Sequence, residues 1–271
     1  MNSSKYNFSA IIQARMSSSR LPKKVLRKIN EKPMLEYVIK QTLASKYIKN
    51  VIIATTLEKE DMEIVEYCKK NNLKYFRGSK NDLLDRYYKC AKKFKCNMII
   101  RVTSDCPMID PEIIDKVIKK FLDNSRDYVS NNIEKIKGVW ENSTCNFPQG
   151  MTVEVSSLKV LEKAWKEAKK PSEREHVFPY IQFNPQLFNV SNLKMRKDFS
   201  NIRCTVDKMN DLRFIRSLYS KLENKDDVVK IKNIIQIIDK YPELVKINNK
   251  TKFDEGYKKS IELDKKSRFK K

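Results

Sequence analysis

Residues 8–26, FSAIIQARMSSSRLPKKVL, join an apolar strand pattern to a basic, serine-rich loop. The first part of this stretch, residues 8–15, predicts a β-strand. Serine hydroxyls, turn amides and arginine forks in the loop are donors that bind phosphate oxygens. The stretch lacks the GxxxxGK(S/T) pattern of a Walker loop, so it predicts either another kind of phosphate-binding loop or a basic surface loop. The loop holds four cationic side chains, Arg15, Arg20, Lys23 and Lys24.

The first half of the chain alternates strand patterns with helical patterns. Apolar strand patterns recur at residues 50–56, 73–78 and 97–105. This alternation predicts an α/β fold with a parallel, doubly wound sheet. In such folds ligands bind beyond the carboxyl ends of the strands, where the basic loop is expected. The predicted helices cover residues 33–45, 60–72, 82–95 and the segment from Pro111, which Asp110 caps.

The second half of the chain has a less regular pattern. Residues 128–156 are strand-like and rich in loops, and further strands are predicted at residues 187–194 and 202–207. From about residue 224 the chain becomes helical and rich in lysine. We therefore expect a main domain over residues 1–223 and a helical C-terminal extension over residues 224–271. The helices predicted before that boundary are residues 158–170, residues 172–184 with an interruption at Pro179, and residues 211–222.

Composition limits the classes of protein to which the chain can belong. Of the 271 residues 40% are apolar, which is enough for a packed core. No apolar run approaches the ~20 residues of a membrane-spanning helix, and the N-terminus lacks a signal-peptide pattern, so we expect a cytoplasmic protein without a membrane span. The single histidine, His176, excludes a multi-histidine metal site. Six irregularly spaced cysteines without a CxxC pair predict free, buried thiols.

Lysine dominates the charge of the chain. With 57 Lys and Arg against 34 Asp and Glu, the net charge is +23. An excess of positive charge is typical of nucleic-acid-binding proteins. The sequence, however, shows neither a pattern of arginines that read DNA bases nor the aromatic residues interleaved with basic residues that are typical of RNA-binding proteins. We therefore expect a solvated lysine surface and no specific nucleic-acid partner. A surface of this kind still attracts polyanions such as nucleoside triphosphates.

Two aspartates are placed to bind a cation beside the basic loop. Asp105 ends the fourth predicted strand within RVTSDCPMID, and Asp207 ends a late strand within RCTVDKMNDL. A Mg²⁺ ion that bridges carboxylate and phosphate oxygens is the expected arrangement near a triphosphate. Asp110 and Asp211 are better explained as residues at the N-termini of helices.

Six segments occur in an order that resembles the cytidylyltransferase family of spore-coat polysaccharide type (SpsF-like), related to the CMP-Kdo and CMP-sialic acid synthetases. The resemblance covers about residues 8–223, and residues 247–264 are similar to the C-terminal extension of longer members. The six segments are QARMSSSRLPKKVL (13–26), FRGSKNDLLDRYY (76–88), RVTSDCPMID (101–110), FPQGMTVEV (147–155), PSEREHVFPYI (171–181) and RCTVDKMNDL (203–212).

The resemblance implies both a fold and a reaction. The fold is a nucleotidyltransferase (Rossmann-like) domain with a mixed, mostly parallel sheet flanked by helices. The reaction is transfer of CMP from CTP to a sugar acceptor, expected to be acidic, with release of pyrophosphate for surface polysaccharide or glycan synthesis. Mg²⁺ is the implied cofactor, and the implied assembly is a homodimer that exchanges residues 128–156.

The resemblance also implies roles for individual residues. The implied catalytic residues are Arg15, Lys24, Asp105 and Asp207, of which Asp105 and Asp207 would hold Mg²⁺. The implied nucleotide-binding residues are Ala14, Arg15, Ser17, Ser18, Ser19, Lys24, Arg77, Asp82, Arg86 and Thr103. The implied acceptor-binding residues are Gln149, Glu154, Glu173, Arg174 and His176.

The sequence departs from the family pattern at four positions. Relatives usually have glycine where Ser17 and Lys23 stand, so we expect a stiffer and more basic loop. Relatives usually read PDG followed by an acidic residue where this chain has Gln149 and Thr152, which leaves the acceptor open. Another nucleotide, or a phosphorylated polyol or phosphonate acceptor, is the alternative reaction. A nucleic-acid-binding protein on the same fold is the non-enzymatic alternative.

Alignment and charge neutralisation are the main needs of the implied reaction. We expect in-line attack on the α-phosphorus with inversion and without a covalent enzyme intermediate. A metal-polarised hydroxyl needs no dedicated base. His176 is expected to be a hydrogen-bonded structural residue or, less favoured, a direct contact to the acceptor.

Overall fold

A central sheet organises the chain in the computed structural model, which describes residues 7–123, 126–133, 145–224, 228–251 and 255–268. Within those residues the sheet has seven strands in the order β5-β4-β1-β6-β8-β7-β9, and β2 and β3 form a separate pair. The strands are β1 (Phe8–Gln13), β2 (Lys28–Ile29), β3 (Lys32–Pro33), β4 (Ile48–Thr56), β5 (Lys74–Gly78), β6 (Met98–Thr103), β7 (Tyr128–Ser130), β8 (Glu154–Ser157) and β9 (Val190–Asn192).

Helices follow most of these strands, and within the described residues short 3-10 turns lie at Lys24–Leu26, Lys59–Asp61 and Pro242–Ile247. None of the described helices is long and apolar enough to cross a membrane. The helices are α1 (Met34–Leu43), α2 (Met62–Lys70), α3 (Leu83–Lys93), α4 (Pro111–Asp123), α5 (Leu158–Glu167), α6 (Pro171–His176), α7 (Pro179–Gln182), α8 (Met209–Ser220), α9 (Ile231–Lys240) and α10 (Glu255–Arg268).

The sheet is parallel in its first half and mixed in its second. Strand β1 lies between β4 and β6 and is parallel to both, and β5 continues the parallel set beyond β4. Strand β8 is antiparallel to β6 and to β7, whereas β9 is parallel to β7. The predicted α/β architecture with a mixed, mostly parallel sheet is therefore confirmed.

Both faces of the sheet are buried, which explains why its strands are continuously apolar. In β1, Ala10 and Ile12 pack into one hydrophobic cluster and Ile11 packs into the other. Helices α1, α2, α4, α8 and α9 contribute to the first cluster, and α3, α5 and α7 contribute to the second. Five of the six cysteines are buried, and all six are free thiols, as the sequence predicts.

The segment after the expected domain boundary near residue 223 packs on the same core. Val229 and Ile234 belong to the cluster that also contains α1 and α4. The buried Gln41 side chain on α1 donates from Nε2 to the carbonyl of Val229 at 2.6 Å and accepts from its backbone N–H at 2.9 Å. Ile231 donates its backbone N–H to Asp110. Residues 228–251 are thus tied to the core by hydrogen bonds and apolar contacts.

One predicted element is wrong, and one lies partly outside the described residues. Residues 202–207 do not form a strand, because only an isolated bridge pairs Arg203 with Gln149. Asp207 lies in the bend that follows this bridge, directly before α8. The expected exchange region, residues 128–156, includes residues 134–144, which lie outside the described residues.

Candidate active site

Two carboxylates and one ammonium group form the centre of the site. Lys24 Nζ lies 2.7 Å from Asp105 Oδ2 and 3.0 Å from Asp207 Oδ1, and it also donates to the carbonyl of Val206 at 2.9 Å. The Lys24 side chain is only 13% exposed, against 25% for Asp105 and 19% for Asp207. The two aspartates singled out in the sequence therefore face one common position.

Backbone geometry explains how residues a hundred positions apart meet. Asp105 lies in the turn after β6, at the carboxyl end of a central strand. Val206 donates its backbone N–H to the carbonyl of Asp105 at 2.8 Å, which joins the two acidic segments directly. Asp211 accepts from the backbone N–H groups of Asp207 and Lys208 at 2.9 and 2.8 Å and so anchors the entry to α8.

Asp207 is held by two arginines as well as by Lys24. Arg20 Nη2 lies 2.7 Å from Asp207 Oδ1, and Arg203 Nη2 lies 2.9 Å from Asp207 Oδ2. Arg203 also donates to the buried Asp211 at 3.0 Å and to Gln149 Oε1 at 2.7 Å. Because the Arg203 guanidinium contacts three different side chains, it fixes the position of Asp207 relative to the cavity.

The electrostatics of the centre favour the charged forms of Lys24 and Asp105. Burial alone would lower the pKa of Lys24, but the Asp105 and Asp207 carboxylates outweigh it and raise that pKa above its usual value. Burial alone would raise the pKa of Asp105, but the Lys24 ammonium outweighs it and lowers that pKa. Lys24 is thus protonated and Asp105 ionised at neutral pH.

The basic loop is shaped by its backbone and by a buried aspartate. Asp61, which is fully buried, accepts from the backbone N–H of Met16 at 2.7 Å and from the Thr56 hydroxyl. Lys23 donates its backbone N–H to the carbonyl of Met16 at 3.0 Å, which closes the loop over the three serines. Lys23 has φ 57, in the left-handed region that favours glycine, so the non-glycine residue here is strained.

The predicted nucleotide residues of the second motif lie at the carboxyl end of β5 (Arg77), at the N-cap of α3 (Asp82) and within α3 (Arg86). Arg77 donates to the carbonyls of Thr56, Leu57 and Glu58 and so braces the loop after β4. Arg86 is 3% exposed, donates to the Ser79 carbonyl at 2.5 Å, and has a buried Nε without a hydrogen-bond partner. Thr55 Oγ1 is a second buried polar atom without a partner at this edge. Unsatisfied polar groups of this kind are expected where a ligand supplies the missing bonds.

A cavity of about 570 Å³ opens beside Asp105 and Asp207. Its wall contains a buried ion pair between Arg101 and Glu154. Glu154 Oε1 also accepts from the Tyr128 hydroxyl at 2.7 Å, and Arg101 Nε donates to Gln13 at 3.0 Å. The cavity is lined by charged residues at the aspartate end and by amide, hydroxyl and aromatic side chains elsewhere, among them Asn132, Phe147, Thr152, Gln182, Phe183, Thr205 and Tyr257.

The predicted acceptor residues separate into two groups. Gln149, Glu154 and His176 line the cavity, together with Thr103 from the nucleotide set. Glu173 instead accepts from the backbone N–H groups of residues 169 and 170 at 3.1 and 3.0 Å and caps its own helix. Arg174 pairs with Asp82 and donates to the Trp165 carbonyl at 2.7 Å. The structure thus ties Glu173 and Arg174 to protein partners.

Arg15 and the serines of the loop lie outside the cavity lining. Arg15 is 45% exposed at its side chain, and its Nη2 lies 3.9 Å from Glu175 Oε1. Ser18 Oγ accepts from the backbone N–H of Leu21 at 3.3 Å. Ala14 is buried and donates its backbone N–H to the carbonyl of Ala54 at 3.1 Å. These contacts hold the loop against the carboxyl end of β4.

Arg101, Arg203 and Tyr257 are among the cavity residues that sequence reasoning missed. Arg101 interrupts an otherwise apolar strand, and a buried charge in a strand is a signal of pairing that could have been read. Arg203 lies within a quoted motif, but its partners are scattered over more than fifty positions. Tyr257 lines the cavity from α10, and no local pattern predicted that placement.

The donor set fits one divalent cation. Asp105 and Asp207 both point at the position that the Lys24 ammonium takes, and carboxylate oxygens are preferred ligands of Mg²⁺. Among the residues that the structure describes, no group of three or more His, Cys, Asp or Glu side chains is arranged to hold a metal. The other ligands of a cation at this position would therefore be water or phosphate oxygens.

A mostly parallel sheet with a basic loop and paired carboxylates at its carboxyl edge defines the class of nucleotide-using α/β transferases. Comparison with protein families then gives the particular family. The family model described as cytidylyltransferase matches residues 9–250. The chain belongs to the cytidylyltransferase family and is a nucleotidyltransferase.

Individual relatives agree with this assignment. An uncharacterised protein of Methanocaldococcus jannaschii is 39% identical over 221 residues, which cover 81% of this chain and 84% of that protein. The spore coat polysaccharide biosynthesis protein SpsF of Bacillus subtilis is 34% identical over 226 residues, with 80% and 88% covered. A solved cytidylyltransferase structure from Leptospira borgpetersenii serovar Hardjo-bovis superposes with a TM-score of 0.81 at 32% identity and covers 92% of this chain and 99% of that one.

Proposed function

We propose that the protein transfers CMP from CTP to a hydroxyl group of a sugar and releases pyrophosphate, to activate that sugar for polysaccharide or glycan synthesis. The observation that carries the proposal is the meeting of Asp105, Lys24 and Asp207 at one position, beside the basic loop and at the mouth of a cavity. Membership of the cytidylyltransferase family supports the nucleotide, and the name of the Bacillus subtilis relative supports the polysaccharide context.

The cationic residues of the site neutralise the triphosphate. With Mg²⁺ between Asp105 and Asp207, the Lys24 ammonium would be displaced from those carboxylates and could then stabilise the leaving pyrophosphate. Arg15 is exposed on the loop and is free to turn toward phosphate oxygens at the cost of a 3.9 Å ion pair with Glu175, which is worth little at the surface. Asp105 and Asp207 would hold Mg²⁺, which when bound neutralises phosphate charge and polarises the reacting oxygens.

The protein contributes position more than proton transfer to this reaction. Arg203 and Arg20 hold the Asp207 carboxylate, and the Val206–Asp105 backbone bond fixes the separation of the two acidic segments. Such alignment favours in-line attack on the α-phosphorus. Burial lowers the pKa of His176 to about 4, and its Nε2 lies 3.0 Å from the Ser260 hydroxyl, so we give it no role as general base.

The cavity wall supports a hydroxyl-rich acceptor. Amide and hydroxyl groups of Asn132, Gln182 and Thr152 can bond sugar hydroxyls, and aromatic residues can pack on the apolar face of a sugar ring. An acidic sugar stays our first choice from the family resemblance. Arg101 is already paired with Glu154, so a neutral sugar and a phosphorylated polyol belong in the same test.

The decisive experiment measures pyrophosphate release from CTP and Mg²⁺ with a panel of acidic sugars, neutral sugars and phosphorylated polyols. We expect release with an acidic sugar and CTP, and at least about tenfold less with UTP, GTP or ATP. A matched control omits the acceptor and so measures CTP hydrolysis. Release that is equal for all four nucleotides would refute the CTP assignment, and the absence of release with every acceptor would refute the sugar transfer.

The homodimer implied by the family resemblance is a further part of the proposal. Light scattering of the full chain should give twice the mass of 32.1 kDa. A mass of a single chain at micromolar concentration would contradict it.

A further inference from the structure

The C-terminal helix α10 contributes Gly256 and Tyr257 to the lining of the cavity, although it begins beyond the matched family region, which ends at residue 250. We propose that α10 forms a wall of the acceptor site and that Tyr257 is a specificity residue that packs against the sugar. This inference rests on the proposed function, because it assigns the cavity wall to the acceptor of that reaction.

One face of α10 is docked on α6. Asp264 accepts from the backbone N–H of Ser172 at 2.9 Å and from its hydroxyl at 2.5 Å. Ser260 Oγ lies 3.0 Å from His176 Nε2. Ser260 and Asp264 are 6% and 8% exposed, so the contact buries polar groups that are paired with each other. Residues three to four positions apart share one face of a helix, and this face is directed at α6.

Tyr257 continues that same face toward the cavity. It lies three residues before Ser260, and its ring meets the edge of the His176 ring at 5.0 Å between centroids and 82° between planes. Gly256, Tyr257 and His176 all line the cavity that also contains Asp105 and Asp207. Helix α10 therefore packs on α6 through Ser260 and Asp264 and lines the cavity through Tyr257.

The chemistry at this wall suits a sugar and not a nucleotide phosphate. Besides the Tyr257 ring, the lining of this cavity contains Pro179, Phe183 and the amide of Gln182. Aromatic side chains bury apolar surface while a polar edge still bonds hydroxyl groups. Of the cationic groups in the lining, Arg20 and Arg203 pair with Asp207, and Arg101 is paired with Glu154. Tyr257 is thus placed for the part of the acceptor that does not react.

His176 is a positioning residue in this arrangement. It is covered by α10, and burial lowers its pKa to about 4, with a smaller contribution from the Arg101 charge against the opposing effect of Asp264. As the single histidine of the chain, it gives one imidazole signal in NMR spectra. The titration of that signal therefore reports whether α10 is docked, without any acceptor present.

The first experiment compares Tyr257→Ala with Lys258→Ala, a neighbouring exposed residue of the same helix. With the acceptor that the wild type uses best, Tyr257→Ala should raise the KM for acceptor by about tenfold and leave the KM for CTP within about twofold. Lys258→Ala should change neither constant. An unchanged acceptor KM in Tyr257→Ala, or an equal rise in both KM values, would overturn the inference.

The second experiment follows the His176 signal from pH 3.5 to 8 in the wild type, Asp264→Lys and Leu263→Lys. Asp264 is buried in the docking face and Leu263 is 53% exposed, so the same change is made on opposite sides of α10. We expect a midpoint near pH 4 in the wild type and Leu263→Lys, and a midpoint close to 6.5 in Asp264→Lys. A wild-type midpoint near 6.5 that Asp264→Lys leaves unchanged would show that α10 does not cover His176 and would refute the wall.

The two proposals fail in different ways. If the wild type releases no pyrophosphate with any acceptor, the proposed function fails, and the His176 titration alone then decides whether α10 covers the cavity. If the wild type is active and the titration shows a docked helix while Tyr257→Ala keeps its acceptor KM, the proposed function stands and the specificity role of Tyr257 is refuted.

Discussion

The substitutions Asp105→Asn and Asp207→Asn test the centre of the site, because each removes one carboxylate charge and keeps the side-chain size. Both should lower turnover by about 10²- to 10⁴-fold, since each removes a group that holds charge in the transition state. Their effects on stability should differ, because the two carboxylates have different partners.

The structure sets the size of that difference. Within the described residues Asp105 forms an ion pair with Lys24 alone, and Lys24 would still have Asp207 at 3.0 Å after Asp105→Asn. We expect a loss of about 1–2 kcal/mol in the free energy of unfolding. Asp207 pairs with Lys24, Arg20 and Arg203, so its replacement weakens three ion pairs, although Lys24 keeps Asp105 and Arg203 keeps Asp211. We expect a larger loss, of about 2–3 kcal/mol.

The assays are urea unfolding and pyrophosphate release, both with and without Mg²⁺ and CTP. Wild-type protein should gain stability from Mg²⁺ with CTP, and both variants should lose most of that gain. Asp110→Asn is the matched control, because Asp110 is also a buried aspartate, but it accepts from the backbone of Glu112 and Ile231. The Asp110→Asn variant should lose stability but keep the turnover of the wild type and its gain in stability from Mg²⁺ with CTP.

Two results would refute this reasoning. Turnover in Asp105→Asn within about threefold of the wild type, with the same Mg²⁺ dependence, would remove Asp105 from the site. A smaller loss of stability in Asp207→Asn than in Asp105→Asn would show that the three cations around Asp207 do not contribute as their distances indicate.

Three further predictions concern strain and pH. Lys23→Gly should raise stability by up to about 1 kcal/mol, because φ 57 suits glycine and the exposed pair with Glu63 is worth little; a lower melting temperature would contradict this. Gly150→Ala should cost at least about 2 kcal/mol in urea unfolding, because φ is +90 and a Cβ would lie 2.6 Å from the backbone nitrogen of Thr205; an unchanged midpoint would contradict this. Folded His176 stays neutral down to about pH 4, whereas the unfolded chain takes up a proton on this side chain near pH 6.5. The free energy of unfolding should therefore fall as the pH drops from 6.5 to 4, by up to about 3 kcal/mol, and it should fall less in His176→Gln. Equal pH slopes in the two proteins would contradict this.

Local sequence patterns were sufficient to predict the strands that carry the candidate site. The strand before Gln13 and the strand before Thr103 are both apolar and parallel, and parallel neighbours end at the same edge of a sheet. For that reason the sequence alone predicted that Lys24 and Asp105 would lie near each other. It also predicted the caps of helices, as at Asp110, because capping depends on a few consecutive residues.

The partners of individual polar side chains were decided by the tertiary structure. Glu173 and Arg174 belong to a motif expected to contact the acceptor, yet one caps its helix and the other pairs with Asp82. Residues 202–207 have the composition of a strand, but the bridge to Gln149 and the anchor at Asp211 bend them into a turn. Composition does not distinguish these outcomes, because they depend on which group packs nearby.

The sequence by itself determined the class of fold, the carboxyl edge of the sheet as the place of the candidate site, and Lys24, Asp105 and Asp207 as residues expected there. Each of these depends on periodicity and on the geometry of parallel strands. Only the tertiary structure decided that Arg203 holds Asp207 and that α10 closes one side of the cavity. The contact of Ser172 with Asp264 spans 92 positions. Contacts of that kind form when distant segments pack together, and no local pattern of residues specifies them.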